Sequence, residues 1–128
     1  MKTIMTNSGL LIPKTGGNCM ASRGDGVLVP FPFTDLTAAH VCPAVVVGAD
    51  DYNAHTGDII VAMITSQPQT LPTDYELQDW SAAGLHFPSW VRAKMASLEQ
   101  SLIQHTVGQL SDRDMTEVDA RLRLALGL

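Results

Sequence analysis

Three apolar runs rich in β-branched residues, Val27–Val29, Ala44–Val47 and Asp58–Ile64, follow one another closely, and Pro, Asp, Asn and Gly fill the segments between them. Runs this short cannot present a helical face to a core, so they read as strands. Val27, Val29, Phe31 and Phe33 alternate with Leu28, Pro30 and Pro32, a period of two. Pro30 and Pro32 lack the amide hydrogen that a sheet ladder needs, which places this strand at an edge or at a bend. Ala44–Val47 suits a strand covered on both faces. Asp58–Ile64 is the strongest strand pattern. Thr34–Val41 and Gln67–Pro72 read as loops, and Asp50–Asp58 as a turn or long hairpin connection. Weaker strand patterns occupy Asp74–Leu77 and Ser89–Lys94, and Leu98–Leu110 carries another strand, Ser101–Gln104, and a short extended piece.

The last segment changes period. Ser111 followed by Asp114 forms an N-terminal capping signature, in which hydroxyl and carboxylate satisfy free amides of a first helical turn. Met115, Val118, Leu122 and Ala125 then fall at helical spacing on one face, and Gly127 stands where a C-terminal cap belongs. Packing on the sheet accounts for that stripe. Five to seven short strands closed by one helix predict a mainly β fold, a small and partly open barrel.

At 128 residues the chain is long enough for one domain with a single core. Its 45% apolar content excludes a wholly disordered chain. No apolar run approaches the roughly 20 residues of a membrane-spanning helix, and Leu10–Ile12 is too short for the apolar region of a secretory leader. A cytoplasmic location follows as the expectation, with Cys19 and Cys42 as free thiols. Residues 1–21 are polar, without periodicity, and read as a flexible leader ahead of a domain spanning 22–128.

The pieces gain meaning from their order. Arg23-Gly24-Asp25 leads into Val27–Thr34. Cys42-Pro43-Ala44-Val45-Val46-Val47 follows, then Ile64-Thr65-Ser66, then Leu98–Ile103 and Val107–Ser111. In that order the chain, over about Ser22 to Leu128, resembles the PemK/MazF toxins of type II toxin–antitoxin systems. The resemblance implies an SH3-like barrel of the PemK/MazF/CcdB type with a C-terminal helix. It also implies a homodimer, a metal-independent endoribonuclease acting on single-stranded RNA without cofactor, and neutralisation by an antitoxin with a flexible acidic segment. Operator DNA is reached only through the antitoxin, and no membrane is involved.

Metal-free cleavage uses the ribose 2′-hydroxyl against its own phosphate. Such a site needs a base, a donor for the leaving oxygen, and fixed positive charge facing the phosphorane. None of His40, His55, His86 and His105 shows ligand spacing with the cysteines. The family's strand-end Thr carries over to Thr65, with Ser66 beside it. The family's Arg before Pro-Ala does not carry over, because this chain has Cys42 there. A thiol has one weak donor and no fixed charge, where guanidinium offers five donors in a fork. His40, two residues earlier, can supply a cation when protonated. Arg92, in Ser89-Trp90-Val91-Arg92, matches a Val-Arg step that some family members use in their site. Arg23 and Lys94 are the other cations in the middle of the chain, and Trp90 offers a face on which a base can stack. The alternative is a family member that has lost cleavage and acts as an antitoxin-binding protein.

The formal charge of −5, with eight Lys and Arg against thirteen Asp and Glu, leaves little for counterion release. Antitoxin binding is then expected to rest on apolar grooves and strand addition more than on charge. Its affinity should fall less than about tenfold between about 50 and 200 mM salt, against the roughly 10³-fold loss typical of six or more phosphate contacts. Titrations at the two salt concentrations check this, and a steep dependence contradicts it.

Overall fold

A computed structural model describes residues 21–30 and 41–128. The elements run β1 (Asp25–Pro30), β2 (Val41–Val46), α1 (Asp50–Thr56), β3 (Asp58–Thr65), β4 (Tyr75–Glu76) and β5 (Trp90–Glu99). A single 3-10 turn at Gln100–Leu102, β6 (His105–Gln109) and α2 (Asp112–Leu126) complete the fold. The strands form one curled antiparallel sheet in the order β4-β5-β3-β2-β1-β6. The mainly β class with a closing helix is therefore as expected.

Both faces of the sheet are covered, as the apolar runs require. One face carries Val45, Val47, Ala62, Ile64 and Val91, packed with Val118 and Leu122 of α2. The other gathers Val27, Val29, Ala44, Val46, Ile59 and Val61, with Cys42 and Met63 against them. Ala21 belongs to this second cluster. Alternating residues of β2 and β3 thus divide between two cores, which accounts for the unbroken apolar runs.

Four expectations change. β1 is not an edge strand, because it lies between β2 and β6. Its last residue, Pro30, is tolerated because β6 stops pairing at Leu28↔His105, so among the described residues no strand on that side awaits the missing amide. Phe31–His40 lie outside the described residues. Asp50–Asp58 holds helix α1 rather than a plain turn; Asp50 and Asp51 stand in its first turn, and Gly57 ends it at φ 75°. Ser101–Gln104 is not a strand, since the 3-10 turn occupies Gln100–Leu102 and the strand begins at His105. β5 runs on to Glu99, well beyond Lys94, because β3 pairs with it along nearly its whole length.

Helix α2 is fastened at its start by polar contacts. Ser111 Oγ accepts from the Asp114 amide at 3.2 Å, which completes the predicted cap. The Asp114 carboxylate turns inward instead of capping in return. Fully buried, it accepts from the Tyr75 hydroxyl at 2.7 Å and from the Gln78 and Asp79 amides at 3.0 and 2.9 Å. Burial, and then this bond to Asp114, push the Tyr75 phenol well above its ordinary range. Asp79 in turn accepts from Arg113 Nη2 at 2.7 Å and from Ser111 Oγ at 2.6 Å, and those bonds lower its carboxyl below the usual carboxylate range. Further along, the backbone of Ala83–Gly84 lies directly against β6. A Cβ on Gly108 would come within 2.2 Å of the Ala83 carbonyl oxygen, so only glycine fits.

Replacing Asp114 with Ala leaves two amides and a phenol without their acceptor and should cost at least about 3 kcal/mol, read as a fall in Tm. Asp79 gives a pH signature. Its carboxyl is depressed in the folded state, so the stabilisation is present above the ordinary value of about 3.9 and is lost as pH falls through the folded value. Asp79→Asn should therefore flatten the acid limb of a Tm–pH curve and leave the slope above pH 5 unchanged.

Candidate active site

Pro43 opens one end of the sheet. The ladder between β2 and β3 runs Val46↔Val61, Val45↔Ala62, Ala44↔Met63 and goes no further, as Pro43 has no amide hydrogen to continue it. Carried on, the same register sets Cys42 level with Thr65 across the unpaired ends. On the other side of β3, Thr65 pairs with Trp90 and Ile64 with Val91. Val91 and Ala93 face the helix-side core, so Trp90, Arg92 and Lys94 project to the opposite face. That is the face on which Cys42 and Met63 lie, and Thr65 shares it, two residues beyond Met63.

The structure thus brings Cys42, Thr65, Trp90, Arg92 and Lys94 to one face at one end of the sheet, with Ser66 exposed at the bend beyond β3. Thr65 Oγ1 accepts from the Gln67 amide at 3.1 Å, which fixes the hydroxyl oxygen and leaves its hydrogen to donate. Trp90 is half-buried and belongs to neither apolar core. Between Ala62↔Met95 and Ile64↔Val91, the three residues Arg92, Ala93 and Lys94 stand opposite Met63 alone. This irregularity concentrates two cations beside the strand ends.

Arg92 is held by a residue that the sequence did not single out. Its Nε lies 3.4 Å from Oδ1 of Asp74, whose side chain is only 2% exposed while that of Arg92 is 31% exposed. Asp74 Oδ2 accepts from the Leu71 amide at 3.0 Å. Within Leu71-Pro72-Thr73-Asp74 an aspartate reads as turn chemistry, and nothing local marks it as a partner for a side chain eighteen residues on.

Arg23 sits elsewhere. Gly24 bonds Val46, at the far end of β2 from Cys42, and Arg23 Nε donates to the Val47 carbonyl at 3.0 Å. Its guanidinium is paired with Asp119 of α2. His40 lies outside the described residues, as does Cys19; Cys42 is a free thiol. Among the described residues no group of three or more His, Cys, Asp or Glu is placed to hold a metal ion, and no helix is long and apolar enough to cross a membrane.

The fold resembles solved toxin structures. An endoribonuclease in complex with its cognate antitoxin, from a mycobacterial species, superposes with a TM-score of 0.71 at 20% identity, covering 84% of this chain and 96% of that one. MazF from Deinococcus radiodurans gives 0.70 at 23% identity, covering 87% and 100%. MazE-MazF from the same organism gives 0.69 at 20% identity, covering 87% and 99%. No curated protein sequence matches the chain. Residues 22–126 match the sequence profile of the PemK-like, MazF-like toxins. With the ordered motifs, the six-stranded sheet and the closing helix all in place, the chain belongs to the PemK-like, MazF-like toxin family of type II toxin–antitoxin systems.

Proposed function

We propose that the chain is an endoribonuclease toxin that cleaves single-stranded RNA without a metal, acts as a homodimer and is neutralised by a cognate antitoxin. The observation that carries this reading is the meeting of Thr65, Arg92 and Lys94 on one face at the end opened by Pro43, with Trp90 beside them. Thr65 donates to the scissile phosphate or to the attacking 2′-oxygen. Arg92 faces the charge that develops on the phosphorane, where fixed cations contribute most. Trp90 stacks a neighbouring base, and Ser66 and Lys94 line the path of the strand. His40 supplies a second cation or a general acid when protonated. Operator DNA is reached through the antitoxin, and the protein works in the cytoplasm.

Cys42 supports a second reading. It stands level with Thr65, where the family Arg would present a fork of donors to the phosphate, and the neighbouring Arg92 already shares its charge with Asp74. A toxin so depleted of positive charge would bind its antitoxin and cleave little or nothing.

A cleavage assay on short RNAs in low salt with chelator separates the two. If the chain is active, Thr65→Ala and Arg92→Ala each lower the rate by about 10²-fold, and Cys42→Arg raises it. With His40 as the working cation, the rate falls as pH rises through about 6.5. With Arg92 alone it stays level there, because guanidinium remains charged. Intact RNA with the parent, and cleavage only with Cys42→Arg, establishes the second reading. If His40→Ala, Arg92→Ala and the double variant all cleave like the parent, the site lies elsewhere.

A further inference from the structure

We propose that Asp74 is a positioning residue for RNA binding, holding the Arg92 guanidinium by its Nε so that its two terminal nitrogens face the phosphate. The inference rests on the nuclease reading and extends it to a residue outside the strand-end cluster. The Asp74 carboxylate is almost wholly buried, and its only bonds among the described residues are to Arg92 Nε and the Leu71 amide. If Arg92 swung away, a buried charge would keep a single amide as its partner, which is costly. The arginine is therefore pinned at Nε, while neither terminal nitrogen bonds any described residue.

The anchor is itself anchored. Arg121 of α2 donates to the carbonyls of Pro72, at 3.2 Å, and of Asp74, and lies over the Tyr75 ring with 5.5 Å to its centroid. Tyr75 donates to the buried Asp114 at the start of the same helix. A continuous set of contacts thus runs from α2 through the segment 72–75 to the guanidinium. A flexible arginine loses side-chain entropy when it meets a phosphate; one already fixed at Nε loses less, and its fork is presented in one orientation.

The test is a double-mutant cycle on affinity for an RNA oligonucleotide made uncleavable by a 2′-deoxy substitution at the scissile position. Parent, Asp74→Asn, Arg92→Ala and the double variant are compared in low salt. If Asp74 acts through Arg92, each single change weakens binding by about tenfold and the double variant is no weaker than Arg92→Ala. The Arg92 Nε–H resonance should be sharp and slow to exchange in the parent and broadened in Asp74→Asn, a signature that a general loss of stability does not produce at temperatures where both proteins are folded. Tighter binding by Asp74→Asn would mean that the carboxylate only neutralises Arg92, and additive losses would mean that the two act separately; either result overturns the proposal alone. Absence of RNA binding by the parent overturns the nuclease reading, and the role of the pair falls with it.

Discussion

The buried carboxylate of Asp114 is the contact on which the arrangement depends. A charge with no access to water is tolerated only when its oxygens are well bonded, and here a phenol and two successive amides bond them. Those donors belong to β4 and the chain just after it, so the first turn of α2 and that segment hold each other in place. Arg113, Ser111 and Arg121 add to the same connection from neighbouring turns. The short strand β4, only two residues long, pairs with β5 and buries Tyr75 in the helix-side core, and these bonds tie it to α2 as well. Its position decides where Asp74 stands, and Asp74 decides where Arg92 points.

The other determining constraint is a missing hydrogen. Pro43 ends the ladder between β2 and β3 two residues short of Thr65. Strand ends that would otherwise be zipped together stay apart, and the side chains there are reachable. Polar and charged groups of β3 and β5 collect at this opening, whereas the middle of both strands is committed to the two apolar cores. The candidate site thus lies where the ladder between β2 and β3 has run out.

Much of this was legible in the sequence, and what was not has physical causes. Val45, Val46, Ile59 and Val61 announced their strands because β-branched runs have few other uses. Ser111 and Gly127 marked both ends of α2 correctly. Helix α1 escaped notice because Ala49 gives no side-chain cap and Asn53 is the single buried residue in its seven, so no apolar stripe could appear. The strand at His105–Gln109 has no alternating apolar pattern; it is a strand because β1 pairs with it, and Gly108 serves close backbone packing rather than a turn. Motif order points to Thr65 and Arg92 and a stacking face to Trp90, and the register of β3 with β5 is what puts them together. Asp74 and Asp114 were invisible as partners, since a buried carboxylate looks in sequence like any surface acid.

The irregularity in β5 has a consequence for how such a sheet can change length. Three residues there stand opposite one, so β5 carries two more than a regular ladder would. Two is an even number, and in a strand even offsets preserve sidedness. Met95 before the irregularity and Val91 after it both remain in the helix-side core, and Trp90 keeps the side it would have had in an unbroken strand. Removing or adding a single residue between Arg92 and Lys94 would keep Val91 in the core and Trp90 outside it only if a further bulge left one residue unpaired. The two extra residues thus add a second cation opposite Met63 while the core residues on either side keep their faces.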